Sequence, residues 1–431
     1  MKKRILLLIL ALAASMLLGG CAMKTVDELY CLPKRSPAYN NWQAVVDEAM
    51  DDLEPCVPQS GDYRQFLQAA DLDGDGLEEY VIFAKDDSEK PLKILIFCQL
   101  ASGYVLMDTI EGYGFGFDFV AYEQMDDRPG LEIVVGRLVS EDVVRSVSVY
   151  RFSSGIARHL YTGSYGRVTL ADLDKDGVSS LYLLNQGTAE RPNGSLSVYT
   201  YQADQLQREA EVDISCAADG YKQIVAGALD DGKPAIYVTC SEADGLTTDV
   251  FCVEDQQLQL VAGHVRTPLL TDVYVYPEDL DKDGVLEIPS VLDLLPVQEQ
   301  QHQFIAWYTL DATGSETVCR YTYHNFADNW YMTLDAQQIQ GLATAHNGGN
   351  CTFYMRNQET GEMLPLLTIF ALMDADREDL ALQPGRVVLY RSDSVIYVAD
   401  LTEYAADYGV TAVQLAAGFS TIRMDLNQEE N

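Results

Sequence analysis

Aspartates alternate with other residues in three short segments of the chain, and this spacing suits a hard divalent cation. Each segment has Asp at positions 1, 3 and 5 and Gly at position 6, and two of the three have Glu at position 9. Calcium takes about six to eight oxygen ligands, and the glycine permits the sharp turn that gathers them. The spacing predicts calcium sites with these ligands: Asp71, Asp73, Asp75, Glu79, Asp172, Asp174, Asp176, Asp279, Asp281, Asp283 and Glu287.

The acidic segments belong to a repeat of about 50 residues, which indicates stacked or radially arranged units. We name them loop 1 (Asp71–Glu79), loop 3 (Asp172–Ser180) and loop 5 (Asp279–Glu287), because two weaker copies lie between them. Loop 2 (Gln124–Glu132) and loop 4 (Leu229–Ala235) lack the alternating acids and are predicted to be metal-free turns. Loop 3 has serine at position 9 and is predicted to bind calcium more weakly.

The elements that position these loops are predicted to be strands. Each loop precedes a short run of β-branched and aromatic residues, and further runs such as Lys93–Gln99 and Val147–Phe152 lie between loops. An EF-hand is excluded, because position 12 of loop 1 is Ile82 and a strand follows where a helix is required. The predicted fold is mainly β, with a short N-terminal helix followed by a β-propeller. Five blades can be identified from the repeats. The C-terminal part forms either further blades, up to seven in all, or an α+β part.

The N-terminus has the features of an export signal. Three basic residues precede an apolar stretch that ends in Leu-Gly-Gly before Cys21, and the stretch is short for a membrane span. This order resembles the bacterial lipoprotein signal, in which the cysteine receives a lipid; the alternative is a plain secretory signal with a chance cysteine. We expect Met1–Gly20 to be removed and the protein to be held at the cell membrane, on its extracytoplasmic face, by lipid on Cys21.

The repeats themselves resemble a known family. The pattern Asp-x-Asp-x-Asp-Gly-x-x-Glu followed by a strand is similar to the FG-GAP/VCBS repeats of integrin-α-type propellers, over about residues 62 to 300. The resemblance implies that calcium stiffens each blade loop and lies away from the face that meets ligands. The order of lipid signal, helix, repeats and tail is also similar to uncharacterised surface lipoproteins of Gram-positive gut bacteria, which implies no activity.

The net charge restricts the classes of binding partner, and the spacing of the cysteines restricts the kinds of metal site. The net charge of −37 excludes a nucleic-acid partner, since phosphate binding needs a basic face, and it disfavours adhesion to anionic lipid. No pair of cysteines has the CxxC spacing of a zinc site. An exported chain can form disulfides, for which Cys31 with Cys56 and Cys240 with Cys252 are candidate pairs.

The flanks of the repeats are less regular. Asn40 or Asn41 is a candidate cap for a helix over residues 42–50, and Val410–Phe419 has helical spacing. Strand-like runs continue beyond residue 300, where further blades and a small α+β domain are equally compatible with the pattern. The domains predicted are the signal peptide (1–20), the lipidated tether and helix (21–60), the propeller repeats (61–300) and the C-terminal part (301–431).

A polar and aromatic group in the C-terminal part is the strongest candidate for a ligand site. It consists of His324, Asn325, Asp328 and Trp330, which suit a sugar pocket in which the indole stacks and the polar groups bind hydroxyls. The competing interpretation is a hairpin whose histidine is internally hydrogen-bonded. No HExxH or GxSxG motif is present.

These features favour a binding or adhesion module for a glycan or protein ligand, rather than an enzyme. One alternative is a polysaccharide lyase or hydrolase on a propeller scaffold, which convergence of His324, Trp330 and carboxylates in one concave pocket would favour. A second alternative is a cell-envelope scaffold for a protein partner, which a large exposed apolar patch would favour.

Overall fold

The computed structural model describes residues 37–140, 145–185, 187, 193–215, 220–242, 245–254, 257–268, 275–292 and 304–422. In these residues, antiparallel strands form six sheets of four or five strands each. The mainly β class is therefore confirmed, whereas a count of seven blades is not. The predicted signal peptide and Cys21 lie outside the described residues.

Sheets 1 to 3 follow one another along the chain. Sheet 1 contains β1 (Glu54–Pro55), β2 (Leu67–Ala70), β3 (Glu79–Lys85), β4 (Leu92–Leu100) and β5 (Gly103–Gly112). Sheet 2 contains β6 (Gly116–Glu123), β7 (Glu132–Leu138), β8 (Arg145–Ser153) and β9 (Ile156–Tyr165). Sheet 3 contains β10 (Arg167–Ala171), β11 (Ser180–Asn185), β12 (Ser195–Gln202) and β13 (Gln205–Asp213).

Sheet 4 repeats this plan, and the last two sheets have five strands each. Sheet 4 contains β14 (Tyr221–Ala228), β15 (Pro234–Glu242), β16 (Gly245–Glu254) and β17 (Gln257–Pro268). Sheet 5 contains β18 (Ile288–Val291), β19 (Phe304–Leu310), β20 (Glu316–Asn325), β21 (Trp330–Leu334) and β27 (Phe419–Thr421). Sheet 6 contains β22 (Leu342–Asn347), β23 (Asn350–Arg356), β24 (Met363–Leu372), β25 (Arg386–Arg391) and β26 (Ile396–Leu401).

In the described residues, four α-helices accompany the sheets: α1 (Pro37–Ala49), α2 (Ala336–Ile339), α3 (Arg377–Ala381) and α4 (Ala412–Gly418). The cap predicted at Asn40 or Asn41 is wrong, because α1 begins at Pro37, a residue type that is favoured in the first helical turn. Asn41 Oδ1 instead accepts a hydrogen bond of 2.7 Å from the backbone N–H of Tyr104, which fastens α1 to β5. None of the described helices is long and apolar enough to cross a membrane.

Successive residues of a strand point to opposite faces of a sheet, so strands that are apolar on both faces are buried from two sides. In β3, Val81 and Phe83 pack towards sheet 2, whereas Ile82 and Ala84 pack against α1. Buried apolar clusters of this kind join sheets 1 and 2, 2 and 3, 3 and 4, 4 and 5, and 5 and 6.

The two ends of this series are each covered by a helix. The outer face of sheet 1 packs on Trp42 and Val46 of α1, and the outer face of sheet 6 packs on Ala381 of α3. Within the described residues, no buried apolar cluster joins sheet 6 to sheet 1. The sheets are therefore packed in sequence order between two helices, and a closed ring is not confirmed.

Sheets 5 and 6 also form a two-sheet sandwich over residues 304–422. Its core includes Trp330, Phe353 and Phe419, and β27 returns from the C-terminal end to pair with β21. The helical spacing predicted over Val410–Phe419 is confirmed by α4, where Thr411 caps the helix by accepting from Gln414 N–H.

The cysteines do not pair as predicted. Cys240 is disulfide-bonded, whereas Cys56 and Cys252 are free, so both candidate pairings are wrong. On the neighbouring strands β15 and β16, Cys240 is opposite Thr247 and Cys252 is opposite Ala235, which separates the two thiols along the ladder. The other described cysteines are free, so the partner of Cys240 lies outside the described residues.

Candidate functional site

The structure brings three carboxylates together in each of loops 1, 3 and 5. In each group the three ligand oxygens lie within 4.8 Å of one another. The groups are Asp71, Asp73 and Glu79; Asp172, Asp174 and Asp176; and Asp279, Asp281 and Asp283. The other two predicted ligands, Asp75 and Glu287, belong to the same loops but not to these groups.

The first aspartate of each loop is held in place by the loop's own backbone. Asp71 accepts hydrogen bonds from the backbone N–H groups of Gly74 and Gly76, at 2.8 and 3.1 Å. In loops 3 and 5 the donors are instead at positions 5 and 6: Asp172 accepts from residues 176 and 177, and Asp279 accepts from residues 283 and 284. The turn is therefore ordered by its own aspartate, which orients the remaining carboxylates towards one point.

The acid at position 9 anchors the loop to its start. Glu79 Oε2 accepts from the backbone N–H of Leu72 at position 2, and Glu287 Oε2 accepts from Leu280, both at 2.9 Å. Both glutamates are buried, with exposures of 4 % and 3 %. Burial raises the pKa of each of these carboxyls, and the neighbouring aspartates raise it further.

Crowded carboxylates of this kind favour a cation at their centre, because each like charge destabilises the ionised form of its neighbours. The pKa of Asp73 is raised, first by burial and then by Asp75 and Asp71. The grouped side chains offer only carboxylate oxygens, which hard cations such as calcium prefer over softer metals. The residues present therefore fit calcium.

Neighbouring loops are hydrogen-bonded to one another across the seams between sheets. The carbonyl at position 1 of one loop accepts from the N–H at position 8 of the next: Leu131 donates to Asp71 at 3.0 Å, and Ser179 donates to Gln124 at 2.7 Å. Leu286 of loop 5 donates to the carbonyl of Ala228, the residue just before loop 4. The loops thus form a connected row along one end of the sheets.

The seam between loops 3 and 4 is built differently. The residue of loop 4 that corresponds to position 8 is Pro234, which has no N–H to donate. The lysine side chain of loop 3 makes the connection instead, since Lys175 Nζ donates to the carbonyl of Gly232 at 2.9 Å.

The turn requires left-handed backbone at positions 4 and 6. Position 6 is glycine in loops 1, 3 and 5, with φ between 87° and 89°. At position 4, loops 3 and 5 tolerate Lys175 and Lys282, whereas loop 1 has Gly74. A Cβ on Gly74 would approach Pro129 of loop 2 to 2.4 Å, so this glycine is required by the close contact between loops as well as by its φ.

In loop 2, the guanidinium of an arginine supplies the positive charge next to the acidic side chains. Arg151 reaches from β8 to the carboxylates of Asp126 and Glu132, with its Nε 3.1 Å from Glu132 Oε1, and all three side chains are buried. The position-9 glutamate keeps its hydrogen bond from the N–H of Met125. The guanidinium thus lies where the other loops gather carboxylates alone, which gives a physical reason for the metal-free character predicted for loop 2. The sequence repeat did not reveal Arg151, because it lies on a different strand from the loop.

Loop 5 has a partial version of the same arrangement. Arg320 of β20 forms an ion pair with Asp281, at 2.5 Å from its Oδ2. Both side chains are partly exposed, and Asp279 and Asp283 have no such partner among the described residues. A cation bound in loop 5 therefore competes with Arg320 for one of its carboxylates.

The predicted sugar-binding group is not assembled. Trp330 is 1 % exposed within the sandwich core, whereas His324 lies on the other face of the same sheet, stacked on Tyr331 at 5.0 Å. Burial lowers the pKa of His324 to about 3, and its Nε2 is 2.9 Å from Thr322 Oγ1. Asn325 and Asp328 hydrogen-bond each other at the hairpin turn.

A separate apolar cavity of about 290 Å³ lies between sheets 5 and 6, under α4. Its lining is mainly apolar and includes Leu334, Phe353 and Leu415, but the charged side chains of Arg320 and Asp335 also line it. None of the four residues of the predicted sugar-binding group lines it.

Comparison with known proteins gives no family. No protein-family model matches this chain, and no curated protein matches it. A protein from Lactobacillus plantarum has a similar structure, with a TM-score of 0.31 and 14 % identity, covering 72 % of this chain and 85 % of that chain.

Two further solved structures are similar at the same level. A rhamnogalacturonan lyase from Bacillus licheniformis is 12 % identical with a TM-score of 0.29, covering 69 % of this chain and 59 % of that chain. TolB from Acinetobacter baumannii is 9 % identical with a TM-score of 0.27, covering 69 % of this chain and 64 % of that chain. Likenesses this weak carry no argument about activity.

Proposed function

We propose that this chain is a lipid-anchored, extracytoplasmic binding module with a propeller-like, FG-GAP/VCBS-type repeat architecture, stiffened by calcium at loops 1, 3 and 5. Its ligand is a glycan or a protein, and it is not an enzyme. The observation that carries the proposal is the convergence of three carboxylates in each of these loops. Lipid on Cys21 holds the module at the membrane.

The seams explain why calcium would stiffen the whole row of sheets rather than single turns. Asp71 contributes a carboxylate to the group in loop 1, and its carbonyl accepts the hydrogen bond from Leu131 of loop 2. A cation that fixes Asp71 therefore fixes a contact between sheets 1 and 2. Where no metal is expected, in loop 2, the buried guanidinium of Arg151 serves the same purpose.

The extracytoplasmic location has separate support. Cys240 is disulfide-bonded, and structural disulfides persist in oxidising compartments outside the cytosol. The apolar N-terminal stretch before Cys21 is typical of an export signal and so also supports a location outside the cytosol.

The choice of binding over catalysis rests on the C-terminal part. His324, the titratable member of the candidate group, is buried and neutral at physiological pH, so it offers no acid or base to a substrate arriving from solvent. Trp330 is likewise inside the core and has no exposed face on which a sugar can stack.

Thermal unfolding of the full chain with calcium and with excess chelator tests the proposal. A ligand that binds only the folded state stabilises it by about 2.7 kcal/mol per site at a hundredfold excess over its Kd. We expect chelation to lower the Tm, and the combined changes Asp73→Asn, Asp174→Asn and Asp281→Asn to remove most of that response. Asp204→Asn, which removes an exposed acid outside the loops, is the matched control.

Identical melting curves of the unaltered chain with calcium and with chelator would refute the calcium part. The binding part is tested separately, by screening the full chain against glycans and envelope fractions with and without calcium. Turnover of a glycan by the purified chain would overturn the non-enzymatic assignment.

A further inference from the structure

Two arginines and one aspartate lie together at the end of the sheets opposite the acidic loops. Arg145, the first residue of β8, is paired with Tyr165 in the β8–β9 ladder, and Arg167, the first residue of β10, follows Tyr165 by two residues. Asp118 lies near the start of β6. Loops 2 and 3 follow the other ends of β6 and β10. The group is therefore separated from the calcium loops by the length of the strands.

The aspartate of this group is already hydrogen-bonded. Asp118 Oδ2 accepts from the hydroxyl of Tyr165 at 2.5 Å, and Arg145 Nε lies 3.7 Å away, beyond hydrogen-bonding distance. The side chains of Arg145 and Asp118 are 14 % and 15 % exposed, so both are largely withdrawn from water yet reachable. Asp118 thus balances one positive charge but does not satisfy the donors of Arg145.

Arg145 keeps a donor that no described residue satisfies, and the described hydrogen bonds of Arg167 go to backbone carbonyls. Arg145 Nε is buried without a hydrogen-bond partner among the described residues. Arg167 donates only to backbone carbonyls, those of Lys222 at 3.4 Å and Gly166 at 3.1 Å. Burial lowers the pKa of Arg167, and the nearby positive charge of Arg145 lowers it further.

We propose that Arg145 and Arg167 form a subsite for a single carboxylate group of the ligand. Two guanidiniums and one carboxylate leave one net positive charge, which one monoanion neutralises. The planar fork of a guanidinium matches a carboxylate, with two parallel hydrogen bonds. This inference deepens the proposed binding function and rests on it, because it names the chemistry of the ligand.

The charge of the whole protein restricts the ligand further. With a net charge of −37, the surface repels polyanions at long range, whereas a ligand with one carboxylate meets little repulsion. We therefore expect the carboxylate to belong to a small ligand or to the end of a chain. A uronic sugar and a peptide C-terminus are two such sources.

Calorimetric titration of the full chain, in calcium, tests the subsite with four probes. Sodium glucuronate and N-acetylalanine represent the two sources, methyl glucoside is the neutral sugar control, and inorganic phosphate is the non-carboxylate anion. We expect at least one monocarboxylate to bind and the neutral sugar and phosphate not to bind, and the stronger of the two carboxylates identifies the source. Binding of neither carboxylate, or equal binding of phosphate, overturns the proposal.

Substitutions then assign the binding to these residues. Hydrogen bonds to charged groups are each strong enough that Arg145→Gln or Arg167→Gln is expected to weaken binding by about tenfold to a hundredfold. Arg208→Gln, which removes an exposed arginine of β13 paired with Glu211, is the matched control and should leave the affinity unchanged. Equal losses in all three variants overturn the assignment.

Asp118→Asn is expected to strengthen binding, which a misfolded variant would not do. It retains the shape of the side chain but removes the competing negative charge, so the carboxylate probe should bind more tightly than it does to the unaltered chain. Weaker or unchanged binding in a folded Asp118→Asn variant contradicts the charge argument. The chelator-dependent Tm, measured on the same samples, shows whether the calcium proposal stands independently of this result.

Discussion

Replacement of Arg151 by methionine tests the idea that loop 2 contains a built-in cation. The guanidinium is 7 % exposed, and the carboxylates it contacts, Asp126 and Glu132, are 0 % and 2 % exposed. Removing one partner of a buried ion pair leaves an uncompensated buried charge and costs about 3–5 kcal/mol. Against a total folding free energy of about 5–15 kcal/mol, this is a large loss.

Arg128→Met is the matched control, because it removes an arginine of the same loop. Arg128 pairs with Asp204, but both side chains are mostly exposed, at 54 % and 77 %. Exposed pairs are screened by solvent, so we expect no resolvable change in the free energy of unfolding. The measurement is urea unfolding of both variants in the presence of calcium. A change in the midpoint without a change in the slope of the unfolding free energy against urea concentration reports a change in stability.

The pH dependence of the Arg151→Met variant provides an independent readout. Burial already raises the pKa of Glu132 to about 7, and loss of the neighbouring positive charge raises it further, so the native variant takes up a proton at a higher pH than the native unaltered chain does. The stability deficit should therefore shrink between about pH 8 and pH 5. Adding Asp126→Asn and Glu132→Gln should likewise recover most of the loss, since no buried charge then remains unpaired.

The reasoning is refuted if Arg151→Met costs less than about 1 kcal/mol, the range of an exposed ion pair. It is equally refuted if the deficit grows as the pH falls, because the two carboxylates would then be ionised and paired with something other than Arg151.

Four further predictions follow from the described contacts. Arg320→Gln should strengthen calcium binding at loop 5, by freeing Asp281, while Arg266→Gln, at an exposed pair elsewhere, should not; calcium titration of the two variants decides. Gly74→Ala should lower the Tm more than Gly76→Ala, because both have positive φ but only a Cβ at position 74 would meet loop 2; equal losses would contradict the contact between loops. Burial lowers the pKa of His324 to about 3, below the unfolded value of about 6.5, so the contribution of His324 to stability should fall by about 1.4 kcal/mol per pH unit between about pH 6.5 and pH 3. His324→Gln should remove this contribution, which is measured as the difference between urea titrations of the two chains at several pH values. Reduction should destabilise the unaltered chain by about 2–4 kcal/mol but leave Cys240→Ser unaffected, while Cys56→Ser keeps the response of the unaltered chain; insensitivity of the unaltered chain to reductant would contradict a structural bond.

The repeat was predictable from sequence because its signals are local. The alternating aspartates, the glycine at position 6 and the following β-branched run all lie within about a dozen residues, so loops 1, 3 and 5 and the strands after them could be placed without knowledge of packing. Glu79 and Glu287 were also identified, but their hydrogen bonds to the start of the loop belong to the folded geometry.

The features that were not predicted depend on contacts between separate strands. Arg151 reaches loop 2 from β8, and Arg145 meets Asp118 across sheet 2, so neither pairing has a spacing that sequence alone can reveal. The sugar-binding interpretation of His324 and Trp330 failed for a different reason. Even and odd residues of a hairpin face opposite sides of its sheet, and burial of both faces was not evident from a single chain segment.

The helices that cover sheets 1 and 6 have a consequence for how such a protein can change in length. Each sheet is packed on its neighbours in the chain, and α1 and α3 shield the two terminal faces from solvent. Duplication or loss of an interior sheet would leave these two helix–sheet contacts unchanged, so neither contact by itself fixes the number of sheets between them.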